Sequence, residues 1–567
     1  MIKIMMGILN VGSGLLLLTL ISCWNRNSPS PELINSINLK QGDVFLCGPF
    51  ETQLGSVKFE TSCSEKVKKD FNLALALLHS FEYDEAEKVF AKIIHVESTC
   101  AMAYWGVAMC NYHQLWPSQP TPAELGKGYS AISLARDIIP KSPKESAFIE
   151  AMAIFYKDWD IKNHATRTQL FEKAMEKVYQ SYPEDKEAAI FYSLALDGSA
   201  DPSDKTYSNQ RKAGDILNAL YPGEPDHPGI VHYIIHTYDY PGLASLALPA
   251  ARKYASIAPS SAHAQHMPSH IYTRLGSWDE SIESNLNSIA SARCYAENAG
   301  IRGHWDEELH GMDYLVYAYL QKGDNKSARA QQDSLHAMVE VSPPNFKVAY
   351  SFAAIPARYA LENKMWKDAA QLRIHPANFP WKNFPWQKAI IHYTRAMGFA
   401  HLGQLDSSSV QINEMGRLVD SLVALKDSYK ANQVLIRMAS AEAWWLFKSG
   451  KKIEGLSRMK QASEMEDKTE KSPVTPGEIL PARELLGDML MLMHKYTAAL
   501  EAYEENLKNH PNRFNGLFGA GLAAEKSNNG EKTKTYYSHL LKIVDSTSAR
   551  PELEHARLFL STFIKSI

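Results

Sequence analysis

Residues 486–511 read LGDMLMLMHKYTAALEAYEENLKNHP, and their spacing decides the fold. Gly487, Ala499, Tyr503 and Pro511 follow one another at intervals of 12, 4 and 8 along the chain. Small residues at the first two positions let a pair of helices approach closely. Tyr503 fills the space between them, and Pro511 closes the second helix. The pattern returns in register: Gly521 follows Gly487, and Tyr537 follows Tyr503, at the same interval of 34.

This unit resembles the tetratricopeptide repeat. The same turn recurs at Leu275-Gly276-Ser277-Trp278, Gln321-Lys322-Gly323-Asp324, Leu402-Gly403-Gln404-Leu405 and Lys448-Ser449-Gly450-Lys451. Near the start, Tyr83-Asp84-Glu85-Ala86 with Phe90 follows it too. Helical periodicity runs through almost everything after Lys66, and strand alternation is scarce. Between Pro117 and Tyr221 the period loosens. The expected fold is all-α, a solenoid of about a dozen helix pairs that stack because no pair buries its own apolar face. Residues 40–65 lack the pattern and carry Gly42, Gly48, Pro49 and Gly55, which reads as a small irregular or hairpin cap. Residues 66–430 form a His-rich array, and 431–567 generic repeats.

The 567 residues carry 60 Lys and Arg against 63 Asp and Glu, a net charge of −3, so no bulk basic charge points to a nucleic-acid partner. Hydrophobic residues at 45% and charged residues at 22% are those of a folded chain. Six Cys are too few for a disulfide scaffold, and no Cys-x-x-Cys pair offers a structural zinc site. Cys47 and Cys63 are near enough in sequence to pair, whereas Cys100 and Cys110 lie in an apolar helical stretch and read as buried thiols.

Lys3 and the apolar stretch after it read as a signal segment over residues 1–22. Its end, Leu20-Ile21-Ser22-Cys23, resembles the bacterial lipobox. That resemblance implies lipidation of Cys23 and attachment to a bacterial membrane. Trp24 is not the Asp that often marks inner-membrane retention, so the outer membrane is favoured, with the periplasmic side as the expected face. Residues 23–39 would be a tether.

The histidines follow the repeat. Eight of the 20 lie between His227 and His310. His232 to His266 and His236 to His270 both span the interval of 34. Counting back from the small residue of each second helix, His263, His266 and His270 lie 18, 15 and 11 before Ser281. His232 and His236 lie 15 and 11 before Ala247, while His310 and Asp313 lie 18 and 15 before Ala328. Those offsets share one helix face, the face that lines the groove in tetratricopeptide proteins. Imidazoles from neighbouring helices suit one transition metal, zinc, iron, copper or nickel, with Asp313 as a carboxylate ligand. Pro268 falls inside the expected first helix and should kink it beside three His. His79 and His113, again 34 apart, would line the same groove. The same side chains also suit a polar groove network with Tyr233, Tyr272 and Asp239, or contact with a peptide.

Several segments together resemble a group of bacterial tetratricopeptide proteins of unassigned activity. They are His79-Ser80-Phe81, Ala103-Tyr104-Trp105-Gly106 with His113, His227-Pro228-Gly229-Ile230-Val231-His232-Tyr233, His266-Met267-Pro268-Ser269-His270 and Ile355-Pro356-Ala357-Arg358-Tyr359. The resemblance implies a helical repeat fold and export, and no reaction. No His-Glu-x-x-His, P-loop or Gly-x-Ser-x-Gly motif is present. Arg358 and Glu362 fall on the groove face, either as a clamp for a ligand carboxylate or as an i,i+4 ion pair. The doubled Phe379-Pro380-Trp381 and Phe384-Pro385-Trp386 read as aromatics packing a linker, or as a sugar or peptide platform.

Three functions follow in order. The first is a membrane-anchored scaffold holding a protein or peptide in its groove. The second is a metal-dependent enzyme or metal carrier built on His232, His236, His266 and His270, with Asp239 or Asp313 as acid or base. The third is a glycan-binding lipoprotein.

Overall fold

The computed structural model describes residues 28–48, 53–113, 115, 119–201, 204–471 and 473–565. The stretch read as a signal segment, and Cys23, lie outside the described residues. Within the stretch read as a tether, a short helix occupies Pro31–Ser36, capped by Ser30.

The described residues are overwhelmingly helical, and the fold is all-α and tetratricopeptide-like. The only strands among them are His304–Trp305 and Val341–Ser342, paired in parallel. Consecutive helices pack as antiparallel pairs, as in Ala482–Leu492 with Tyr496–Asn509 and Phe514–Lys526 with Gly530–Ile543. The small-residue rule holds in atomic detail. A Cβ at Gly487 would stand 2.7 Å from the ring of Tyr503, and one at Gly521 would overlap the ring of Tyr537. Gly521→Ala is therefore expected to lower stability by about 1–3 kcal/mol, the cost of overpacking a filled contact. Chemical unfolding measures it, and a change below about 0.3 kcal/mol would contradict the packing argument. Gly276 serves the backbone instead. At φ +67° it ends helix Pro268–Leu275 in the left-handed conformation that favours glycine.

Helix starts in the loosely periodic stretch are written locally. Thr121 and Glu124, then Ser142 and Glu145, form reciprocal capping boxes, each with proline in the first turn.

The chain divides into two compact units. One gathers residues 54–233 with the described residues up to Val44; the other gathers 234–567 with the described residues of 45–53. The division falls at Tyr233, within helix Pro228–Thr237. Position 430 falls inside helix Ser428–Lys448. Among the described residues of 40–65 there is no strand, and the stretch is irregular. Ser56 donates its amide to Asp226 O (3.0 Å), and Phe59 packs on Phe71, Trp105 and Phe148 in the first unit. In the second unit, the Cys47 amide donates to Ser260 O (3.3 Å) and the Gln53 amide to Ser260 Oγ (2.9 Å).

The cysteine pairing differs from expectation. Cys63 bonds Cys100, and Cys47 bonds Cys294, across sequence separations of 37 and 247. Cys100 is thus no free thiol: it stands at the N-cap of helix Ala101–Cys110 and is bonded to Cys63. Cys47 reaches Cys294 because its segment is laid against Ser260 and Asn298. Cys110 is the buried free thiol that its apolar surroundings imply. Alkylation of the chain in denaturant without reductant should label Cys110 and leave Cys47, Cys63, Cys100 and Cys294 unlabelled. Peptide mapping reads this directly, and a labelled Cys63 or Cys294 contradicts the pairing.

Candidate metal centre

The second unit brings His266, His270 and His310 together. The long first helix expected here is broken into Ala262–His266 and Pro268–Leu275, because Pro268 cannot donate the backbone bond that would continue it. His266 and His270 flank the break and His310 comes from helix Asp306–Gln321. One ring nitrogen from each lies within 4.8 Å of the other two, and all three residues are buried.

The hydrogen bonds behind these rings fix their chemistry. His266 Nδ1 donates to Asn285 Oδ1 at 2.7 Å, and Asn285 is oriented by donating its own amide to Ser281 O at 2.7 Å. His270 Nδ1 donates to Asp239 Oδ2 at 3.0 Å. Arg274 grips Asp239 through Oδ1 (2.8 Å) and the main-chain O (2.7 Å), and Lys471 Nζ stands 3.6 Å from Oδ2. With both Nδ1 atoms carrying hydrogens, both Nε2 atoms present lone pairs, and those two atoms are 3.1 Å apart. Two lone pairs at that distance repel unless a cation lies between them. A shared proton is disfavoured, since burial pushes the pKa of His266 and His310 well down and that of His270 down. A metal ion fits: ligand nitrogens about 2.0–2.1 Å from a tetrahedral ion stand about 3.3 Å from one another. Asp239 and Asn285 then act as the outer partners that orient metal-bound imidazoles. Burial works against ionisation of Asp239, but Lys471, Arg274 and His270 hold its carboxyl well below the usual range.

A second cluster shows the contrast. In the first unit, His79 Nε2 and His227 Nε2 each lie 3.0 Å from a different oxygen of Glu187. His79 Nδ1 lies 2.9 Å from Tyr233 OH. Here each Nε2 meets a carboxylate oxygen, so Nε2–H donation satisfies both of those atoms without an ion, while His227 Nδ1 is buried without a partner. Burial opposes charge on Glu187, yet the two imidazoles bring its pKa down to about 2. Gly229 permits the arrangement, since a Cβ there would stand 2.5 Å from His79 Nδ1.

The other expected site residues are placed as follows. His232 sits in the first unit and its Nδ1 donates to His79 O at 2.6 Å. His236 and His263 belong to the second unit, their rings stacked 6.2 Å apart, with His236 6.4 Å from His270 by ring centroid. Asp313 is not among the donors that converge on the triad. It faces Arg358 at 3.4 Å, with burial pushing its carboxyl up to about 6 against the pull of that guanidinium. His113 stacks on Tyr83 at 4.8 Å and lines a cleft of about 410 Å³ in the first unit. Tyr272 is 7% exposed, and Tyr233 is buried. Glu362 pairs with Arg513 at 2.8 Å rather than with Arg358.

Sequence reasoning does not single out Asn285, Tyr314 and Lys471. Tyr314 stacks on His270 at 5.0 Å and meets His266 edge-on at 4.7 Å. Asn285 has a signal: Ser281, Ser284, Asn285, Ser288 and Ser291 make a polar stripe on the buried face of helix Trp278–Asn298, where apolar residues are the rule. Trp381 and Trp386 are 6% and 3% exposed, with Trp381 Nε1 bonded to Pro376 O at 2.9 Å, so the doubled aromatic motif packs inward.

No family model and no curated protein matches the chain. Among solved structures it is similar to the tetratricopeptide domain of P58(IPK), at 16% identity over 67% of this chain and 99% of that one, TM-score 0.20. It is also similar to the human IFIT1 dimer with m7Gppp-AAAA, at 12% identity over 92% and 96%, TM-score 0.34. A third is Naa15/Naa10 bound to HypK-THB, at 11% identity over 88% and 92%, TM-score 0.24.

Proposed function

We propose that this chain is an exported helical-repeat protein that holds one transition-metal ion in its second unit, on Nε2 of His266, Nε2 of His270 and a ring nitrogen of His310. The observation that carries the reading is the pair of facing Nε2 lone pairs 3.1 Å apart, each fixed by a hydrogen bond behind its ring. Three neutral imidazoles suit zinc, copper, nickel or iron. A bound ion would supply Lewis acidity at the position the three His leave open. Export is supported by two disulfides, which persist in oxidising compartments, and by the lipobox-like end at Cys23. Anchoring through that residue is part of the proposal, and a Cys23→Ala variant that partitions into the aqueous phase would support it.

The test is elemental analysis of the chain purified without a His-tag or chelator, beside His266→Ala/His310→Ala. One metal per chain, absent from the variant, is the expected result. Equal metal content in both, or none after incubation with each of the four ions, removes the reading.

A second reading, a scaffold that holds a protein or peptide, rests on the repeat architecture, whose stacked helices offer long surfaces to partners. One contact favours it: buried Arg358 donates to two adjacent backbone carbonyls of this chain, Gly477 O and Glu478 O, the way a side chain holds an extended peptide.

A further inference from the structure

Helices Lys452–Asp467 and Ala482–Leu492 are joined by fourteen residues, where about two to eight is usual between paired helices. A connection of that length ordinarily runs over the surface. This one runs inward. Val474, Thr475, Ile479 and Leu480 are 7%, 4%, 1% and 8% exposed, and Gly477 is buried. Its described residues form no helix or strand, and it carries Pro473 and Pro476.

The way it is held is that of a bound peptide. Arg358, wholly buried on helix Phe346–Glu362, donates Nη2 to Gly477 O at 2.8 Å and Nη1 to Glu478 O at 2.7 Å. Two adjacent carbonyls are thus satisfied by one side chain of another element, not by a helix or sheet ladder. Glu478 Oε2 takes a hydrogen bond from His510 Nε2 at 2.6 Å. Gly477 runs against Tyr317, where a Cβ would come within 3.1 Å of the hydroxyl. Backbone bonds supply attachment and side-chain pockets supply selection, as when an extended peptide is recognised.

Resting on the scaffold reading, we infer that residues 474–480 are an intramolecular ligand of the surface that Tyr317, Arg358 and His510 form in the second unit. The surface beneath them is then a site for an extended peptide of the same chemistry: proline-containing, with glycine against Tyr317 and a following carboxylate on His510. A peptide from a partner binds there by displacing the strap.

The test uses the full chain and a fluorescein-labelled peptide PVTPGEILP, the sequence of residues 473–481. Gly477→Val/Glu478→Ala weakens the strap at its two specific contacts. That variant should bind the peptide at least ten times more tightly than the unsubstituted chain, read by anisotropy. Adding Arg358→Lys, which keeps the charge and loses the two-pronged donor, should remove most of that gain. A variant that is folded by circular dichroism and binds no peptide overturns the inference. Where the variant does not fold, hydrogen exchange on the unsubstituted chain decides. Exchange of the strap amides at least a hundred times faster than the core of helix Phe346–Glu362 supports a displaceable ligand. Exchange in step with that helix overturns it.

Discussion

At a free zinc concentration a thousand times its Kd, the second unit gains about 4 kcal/mol against unfolding, the mass-action value for a ligand that binds only the folded state. The unfolded chain scatters His266, His270 and His310, so the gain should approach that figure. His270→Ala should abolish it, because two imidazoles remain and one of them loses the facing Nε2. Asp239→Asn is the sharper variant. It keeps the shape but replaces the carboxylate that accepts from His270 Nδ1, and loss of such an outer partner costs about 10–100-fold in metal affinity. Glu187→Gln in the first unit should leave zinc affinity unchanged, since there both Nε2 atoms are already turned to the oxygens of Glu187. Isothermal titration of the four chains, with denaturant curves with and without zinc, separates these outcomes. A zinc gain that survives His270→Ala, or that is lost in Glu187→Gln, places the ion elsewhere.

The repeat was legible because it is written in sterics. A glycine that must admit a tyrosine ring from the following helix leaves a mark at fixed spacing, as Gly487 with Tyr503 and Gly521 with Tyr537 do. The His pattern was legible as a face, since offsets of 18, 15 and 11 fix a direction on a helix. It did not say which members of the face would meet. His266, His270 and His310 converge because Pro268 breaks the helix between the first two and the third arrives from the next pair. His232 is instead held by the carbonyl of His79, a contact across a separation of 153 that no local spacing encodes. Asp313 shares the repeat position, yet its carboxylate faces Arg358. Long-range partners are the common reason for what was missed. Cys47 finds Cys294 and Arg358 finds Gly477 through the path of irregular segments, whose course depends on tertiary fit rather than periodicity.

Arg513 carries the largest expected loss among single substitutions outside the metal centre. Its guanidinium is wholly buried and bonds Glu484 through both oxygens at 2.9 Å, Glu362 at 2.8 Å and Tyr317 OH at 3.1 Å. Both carboxylates are buried, at 2% and 4% exposure. Arg513→Ala leaves two negative charges facing one another without their cation, a change that costs about 3–5 kcal/mol when one member of a buried ionic set is removed. The cost is that of stranded charge and not the worth of the ion pairs. A second substitution therefore discriminates: Glu484→Gln, added to Arg513→Ala, removes one of the stranded charges and should recover part of the loss. Glu484→Gln alone should destabilise, because it weakens a two-pronged bond and leaves Arg513 with one full partner. The cycle of four chains, measured by denaturant unfolding, should show the double variant less destabilised than the two single losses added together. A loss below about 1 kcal/mol for Arg513→Ala, in the range of exposed pairs, would mean that water reaches the guanidinium and that this part of the repeat stack is looser than its burial states.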